Sequence, residues 1–297
     1  MRRATTAARA VALAVAVALA VVLSVGCSRS DEPNSLFDDP GYHVRDGIVY
    51  YLNPFPGKAF RVDDAEASTF EAFDRTYARD REQVFINGHL LEGANAESFE
   101  LLDRPGFSRD HRRVYQHDTP ISVDPDNFEL LDNNLARDST NVYWTDGSVL
   151  SGDAANFVIV SDADHYLYAK DASTVYVNGN PIAGAAPATF EVLHGAYSRD
   201  ADSAFYFDSR IDGADVGTFR TLQGTYAVDA ERAYWMGKAV DGADPATFEV
   251  LNVNFECSAD RHRAFYRQRV IADADPATFP AGRQVTGCSE SMISFGD

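Results

Sequence analysis

Asp171-Ala172-Ser173-Thr174-Val175-Tyr176-Val177-Asn178-Gly179-Asn180-Pro181-Ile182-Ala183-Gly184-Ala185-Ala186-Pro187-Ala188-Thr189-Phe190 is one copy of a unit that recurs along most of this chain. Its closing phenylalanine has seven counterparts: Phe70, Phe99, Phe128, Phe157, Phe219, Phe248 and Phe279. The eight are separated by 29, 29, 29, 33, 29, 29 and 31 residues. A fixed period of this length marks a repeat protein, in which each copy is one supersecondary unit that cannot bury its apolar face alone.

Four further columns align with the phenylalanines. An aspartate stands 19 residues ahead at Asp80, Asp138, Asp171, Asp200, Asp229 and Asp260, and 18 ahead at Asp110. Five residues after it comes an aromatic: Phe85, Tyr115, Tyr143, Tyr176, Phe205, Tyr234 or Phe265. Three residues before it stands Tyr77, Phe107, Leu135, Tyr168, Tyr197, Tyr226 or, at the end, Cys257. An aliphatic follows eleven residues after the aspartate at Leu91, Ile121, Val149, Ile182, Ile211, Val240 and Ile271. A first, degenerate copy runs from Tyr42 through Asp46 and Tyr50 to Phe70, interrupted by Pro54, Pro56 and Gly57.

The local chemistry is β. Thr174-Val175-Tyr176-Val177 is β-branched and aromatic and favours a strand. Asn178-Gly179, like Asn87-Gly88 and Asp146-Gly147, suits the two positive-φ positions of a type I′ hairpin. Pro181-Ile182 begins the return strand. Asp244-Pro245-Ala246-Thr247-Phe248 then reads as a capping residue with proline at the first helical position, one turn long. Phe248-Glu249-Val250-Leu251 starts a third strand. The expectation is an all-β array of eight tandem three-stranded meanders of about 29 residues. Its architecture is an open, solenoid-like array; a small-bladed β-propeller is the alternative.

Asp171 to Tyr176, Asp229 to Trp235 and the stretch Gly242-Ala243-Asp244-Pro245-Ala246-Thr247-Phe248-Glu249-Val250-Leu251 resemble the DKNYY family, named for an Asp-Lys-Asn-Tyr-Tyr signature whose Lys and Asn columns are largely lost here. The resemblance covers residues 42–279. It implies a repeat module of bacterial proteins and supplies no active site.

Arg2, Arg3 and Arg9 precede an uncharged, mostly apolar run over residues 10–26, the pattern of a signal peptide over residues 1–26. The run ends in Leu23-Ser24-Val25-Gly26-Cys27, which resembles a bacterial lipobox with Ser24 where Leu is usual. Cys27 is then the acylated first residue, giving an extracytoplasmic protein anchored to the membrane through lipid. An uncleaved anchor or an ordinary signal peptide is the other reading. Residues 27–41 form an acidic tether, 42–281 the repeats and 282–297 a C-terminal cap. Loss of the leader takes the net charge from −19 to −22. A body this acidic stays soluble as a monomer and excludes nucleic acid and anionic lipid as electrostatic partners. Cys257 occupies an aromatic column, and export places it in an oxidising space, so a Cys257–Cys288 disulfide pinning the tail is expected against two separate buried thiols.

Catalytic motifs are missing: there is no nucleophile elbow, phosphate-binding loop or zincin helix. The histidines fall in different columns; His111 and His117 share a copy and read as solvated hairpin positions. The recurrent aspartates read as turn and capping groups. No cofactor or metal is expected, although calcium at Asp162 with Asp164, or Asp200 with Asp202, is the main rival. Trp144 and Trp235 follow the hairpin aromatic by one residue, so alternation points them to the opposite face. With Phe207 they are the candidate ligand face. The expected role is a noncatalytic binding module at the cell envelope, taking a protein or a glycan. An envelope enzyme such as a glycan hydrolase, with a site assembled across copies, and a purely structural component are the rivals.

Overall fold

A computed structural model describes residues 32–296. The signal segment and Cys27 lie outside the described residues. The chain divides into two compact units, one ending at Asp126 and the other starting at Asn127. The first holds a three-stranded sheet (Gly41–Arg45, Ile48–Leu52, Ala59–Arg61). It also holds two four-stranded sheets (Glu71–Ala72, Tyr77–Arg79, Val84–Ile86, His89–Leu90; and Glu100–Leu101, Phe107–Arg109, Val114–Gln116, Thr119–Ser122). The second unit holds five more four-stranded sheets and a closing hairpin, Val285–Ser289 with Met292–Phe295. Every sheet is antiparallel, and its strands are neighbours in sequence order. The all-β repeat array is therefore present.

Three strands per copy hold for the first sheet; the other seven repeats each have four. The additional strand is the short segment that carries the Tyr column, such as Tyr197–Arg199. The strand after each phenylalanine pairs forward with it, Glu191 opposite Arg199 and Glu71 opposite Arg79. Each sheet thus begins in one sequence copy and ends in the next. The capped turn is the link between sheets. Its side-chain caps form where a capping residue is present, with Asn95 Oδ1 accepting from Ser98 N–H at 3.0 Å and Asp275 Oδ1 from Ala277 N–H at 2.9 Å.

The hairpin signals hold at Asn87-Gly88 (φ 50° and 79°) and Asn178-Gly179 (φ 46° and 82°). They fail at Asp146-Gly147, where only the glycine has positive φ and Trp144 N–H bonds to Ser148 O in a longer loop. Val149 is exposed there, and Ser151 takes the buried place, because a register shift between Val142 and Tyr143 displaces the return strand.

The core is shared between adjacent copies of the same unit. Tyr197, Ile211 and Phe219 of one copy pack with Ala227 and Tyr234 of the next; Tyr226, Val240 and Phe248 pack with Phe265. Ring centroids lie 5.6 Å apart for Phe219–Tyr234 and 6.0 Å for Phe248–Phe265. Each such side chain contributes about 1.5–3 kcal/mol by leaving water. The phenols of the Tyr column reach the following copy, Tyr77 to Gly106 O at 3.3 Å and Tyr197 to Thr225 O at 2.8 Å. Burial pushes the Tyr77 phenol up to about 12, so it remains a donor at neutral pH.

The recurrent aspartates are buried, between 2% and 6% exposed. Oδ1 accepts from the backbone N–H groups two and three residues on, as in Asp229 from Glu231 (2.8 Å) and Arg232 (2.7 Å). Oδ2 accepts the backbone N–H of the preceding capped turn: Glu66 to Asp80 (2.9 Å), Asn95 to Asp110 (2.8 Å), Ala186 to Asp200 (2.8 Å), Asp215 to Asp229 (2.9 Å) and Asp244 to Asp260 (2.8 Å). Where the next aromatic is tyrosine, its phenol joins Oδ2, Tyr176 on Asp171 at 2.8 Å and Tyr234 on Asp229 at 2.6 Å.

A disulfide joins Cys257 to Cys288 with Cα atoms 5.9 Å apart. The C-terminal hairpin covers the last copy, with Ile293 and Cys288 packed on the cluster of Ala259, Ala264 and Ile271, and Phe295 5.0 Å from Phe279.

Two predictions follow from these bonds. Burial alone would raise the Asp171 carboxyl. The hydrogen bonds from Ser151 Oγ, Ser173 N–H, Tyr176 OH and Thr174 N–H outweigh it and hold the group at about 2, against an ordinary 3.8. A folded value below the unfolded one means that this contribution to stability is complete above about pH 4 and disappears as pH falls toward about 2. Asp171→Asn is expected to cost about 1–3 kcal/mol at neutral pH and to flatten the acid limb of a melting-temperature profile; an unchanged limb refutes the assignment. Reducing the disulfide, whose cysteines are 31 residues apart, is expected to remove about 3–4 kcal/mol on the chain-entropy model. Limited proteolysis should then cut first near Arg283, and equal protease resistance with and without reductant would show that the tail does not need its bridge.

Candidate functional site

The hairpins of the last three copies carry the feature that departs furthest from the repeat. In each copy the first turn residue is held by a backbone bond from its own N–H to the carbonyl before the second strand: Asn178 to Leu167 O (2.8 Å), Phe207 to Ala196 O (2.7 Å), Met236 to Thr225 O (2.8 Å) and Arg267 to Glu256 O (2.9 Å). This fixes a left-handed conformation whatever the side chain. Asn87 and Asn178 suit it; Phe207 (φ 56°), Met236 (φ 48°) and Arg267 (φ 58°) do not. A bulky residue there costs on the order of 1 kcal/mol relative to asparagine.

Between the sixth and seventh hairpins lies an open groove of about 850 Å³, lined among others by Tyr206, Phe207, Asp208, Arg210, Trp235, Met236 and Lys238. Its floor is close-packed. A Cβ on Gly237 would stand 2.6 Å from Tyr206 Cβ, so this glycine is required by space as well as by its φ of 74°. Gly237 N–H donates to Tyr197 OH at 3.1 Å. Trp235 also lines a smaller cavity of about 170 Å³ with Tyr266, Arg267, Gln268, Arg269 and Glu290. Arg267 lies 5.4 Å from the Trp235 ring and 4.9 Å from the Tyr266 ring, held by Glu256 at 2.6 Å. Trp235 Nε1 and Gln268 Oε1 are buried there without a hydrogen-bond partner among the described residues.

Of the three residues expected to form a ligand face, the structure brings Phe207 and Trp235 together and leaves Trp144 apart. Both tryptophans are half-buried rather than free on the surface. Trp144 packs over Gly179, whose missing side chain makes room for the indole, and joins the cluster of Leu135, Val142 and Tyr176. Met236, Arg210 and Lys238 escaped notice in the sequence. The signal for Met236 was there: like Phe207, it is a bulky apolar residue in the turn position that Asn87 and Asn178 hold in other copies.

His111 and His117 lie beyond opposite ends of the strand Val114–Gln116, with His111 Nδ1 2.8 Å from Ser98 Oγ. Both Asp200 oxygens are taken by backbone N–H groups, from Asp202, Ser203 and Ala186. Asp164 Oδ2 stands 3.8 Å from His194 Nδ1. Among the described residues no group of three or more His, Cys, Asp or Glu side chains converges as a metal site. No helix of the described residues is long and apolar enough to cross a membrane.

The left-handed turn predicts that Met236→Asn, at an exposed side chain, raises the melting temperature by about 1 kcal/mol of stability, whereas Phe207→Asn also gives up the packing of its ring on Tyr166 (centroids 6.2 Å apart) and gains less. Thermal unfolding monitored by circular dichroism checks this, and a fall for Met236→Asn would show that its side chain serves the fold.

Neither a curated protein nor a solved structure matches this chain. A family model does, that of the DKNYY family, in overlapping segments at residues 42–209, 107–235, 153–269 and 226–291. The chain belongs to the DKNYY family.

Proposed function

We propose that this protein is an exported, lipid-anchored recognition module of the cell envelope, noncatalytic, which takes its ligand in the groove between its sixth and seventh hairpins. The observation that carries the reading is the pair Phe207 and Met236. Both occupy left-handed positions that suit neither side chain, on the two hairpins that border the groove. Outliers of this kind collect at sites where the strain serves function. The groove has the size range of ligand sites and combines apolar side chains with a few polar groups. No histidine or cysteine lines it. The basic, then apolar leader ending at Cys27 supports export and lipid attachment at that residue.

The test is a pull-down of envelope fractions and cell-wall glycan with the purified chain, comparing wild type with Phe207→Asn/Met236→Asn. The expected outcome is binding by wild type and its loss in a variant that still unfolds cooperatively. Binding that survives the double substitution would move the site away from this groove.

A further inference from the structure

We infer that the groove takes an acidic glycan, a sugar chain bearing carboxylate or phosphate groups; this deepens, and rests on, the recognition reading above. The chain carries 45 acidic against 26 basic residues, yet the groove and the adjoining cavity gather Arg210, Lys238, Arg267 and Arg269 against Asp208, Asp212 and Glu290. Arg267 and Arg269 have carboxylates of their own, Glu256 at 2.6 Å and Glu290 at 3.2 Å. Arg210 and Lys238 are exposed, and among the described residues neither has a carboxylate within ion-pair distance. At the start of the fourth strand the second and fifth copies carry His89 and Asn180, whereas the seventh and eighth carry Lys238 and Arg269. A Lys or Arg at this position is thus confined to the last two copies. On an acidic body the unpaired Arg210 and Lys238 attract an anion at short range.

Three features select a sugar chain over an acidic peptide. The fourth strands at the groove, Ser209–Arg210 and Lys238–Ala239, have two residues each, too short to template an added peptide strand. Phe207, Met236 and Trp235 offer apolar faces interrupted by polar groups, matching a ligand whose rings have apolar faces and polar rims. The unpartnered Trp235 Nε1 donor and Gln268 Oε1 acceptor suit hydroxyl groups, which accept and donate.

The experiment uses the full-length chain in detergent and measures tryptophan-fluorescence titrations at low and high salt. The probes are polygalacturonate, a glycerol-phosphate polymer, neutral dextran and polyglutamate. Variants are Arg210→Glu/Lys238→Glu, with unchanged melting as the folding control, and Phe207→Asn/Met236→Asn. The expected result is saturable binding of polygalacturonate or the glycerol-phosphate polymer. It should weaken about tenfold on charge reversal and with added salt, and vanish in the second variant. The two anionic polymers separate carboxylate from phosphate. Equal binding of dextran, equal binding of polyglutamate, or no binding of any polymer overturns the proposal. Envelope binding that survives charge reversal but not Phe207→Asn/Met236→Asn removes the acidic glycan and keeps the groove; binding indifferent to both removes the recognition reading as well.

Discussion

Burying an aspartate among β-strands is costly unless every oxygen is filled, and seven copies of this repeat bury one. Each solves the problem in the same way. One oxygen closes a turn within its own sheet; the other accepts from the preceding link, by a backbone N–H as in Asp215 to Asp229 or a hydroxyl as in Ser151 to Asp171, from a tyrosine phenol of its own sheet, or from both. The carboxylate therefore does two jobs that an apolar residue cannot. It ends a short strand and fixes where the previous copy must sit. With strands of two to six residues, no sheet here has enough ladder bonds to set that position alone. The aromatic columns add most of the burial, and the aspartates specify the geometry in which the aromatics meet.

Much of this was legible because it is written in residue types with strong local preferences. The phenylalanine period gave the copies, Asn87-Gly88 and Asn178-Gly179 gave two turns, and Cys257 in an aromatic column pointed to its bridge with Cys288. The fourth strand was not legible: Tyr197–Arg199 is three residues long, too short to display an alternating pattern. Nor was the bulge that exposes Val149, since a register shift leaves the column spacing intact. Trp144 stands apart from Trp235 and Phe207 for a tertiary reason. Alternation sends Trp144 away from its own sheet's core, but Gly179 on the adjoining copy receives it. In repeat proteins the opposite face of one copy is the near face of its neighbour.

The groove shows where the repeat gives up regularity. The bond from the first turn residue is the same as in copies with asparagine turns, while the second turn residue has positive φ at Gly237 and not at Asp208. The first turn side chain differs in consecutive copies: phenylalanine, methionine, arginine. A scaffold whose turns are fixed by a main-chain bond can change turn side chains one copy at a time while the buried columns stay constant.

The tyrosine bonds give the array a direction. Within each compact unit the phenol of one copy reaches the backbone of the copy that follows, and the core beneath it closes only with that copy's aromatic. A chain that emerges N-terminus first therefore carries, at every moment, one finished face behind it and one unfinished face at its growing end. In the second unit completion is handed forward until the last face meets the C-terminal hairpin, where a cysteine stands in the tyrosine's place and a covalent bond ends the succession.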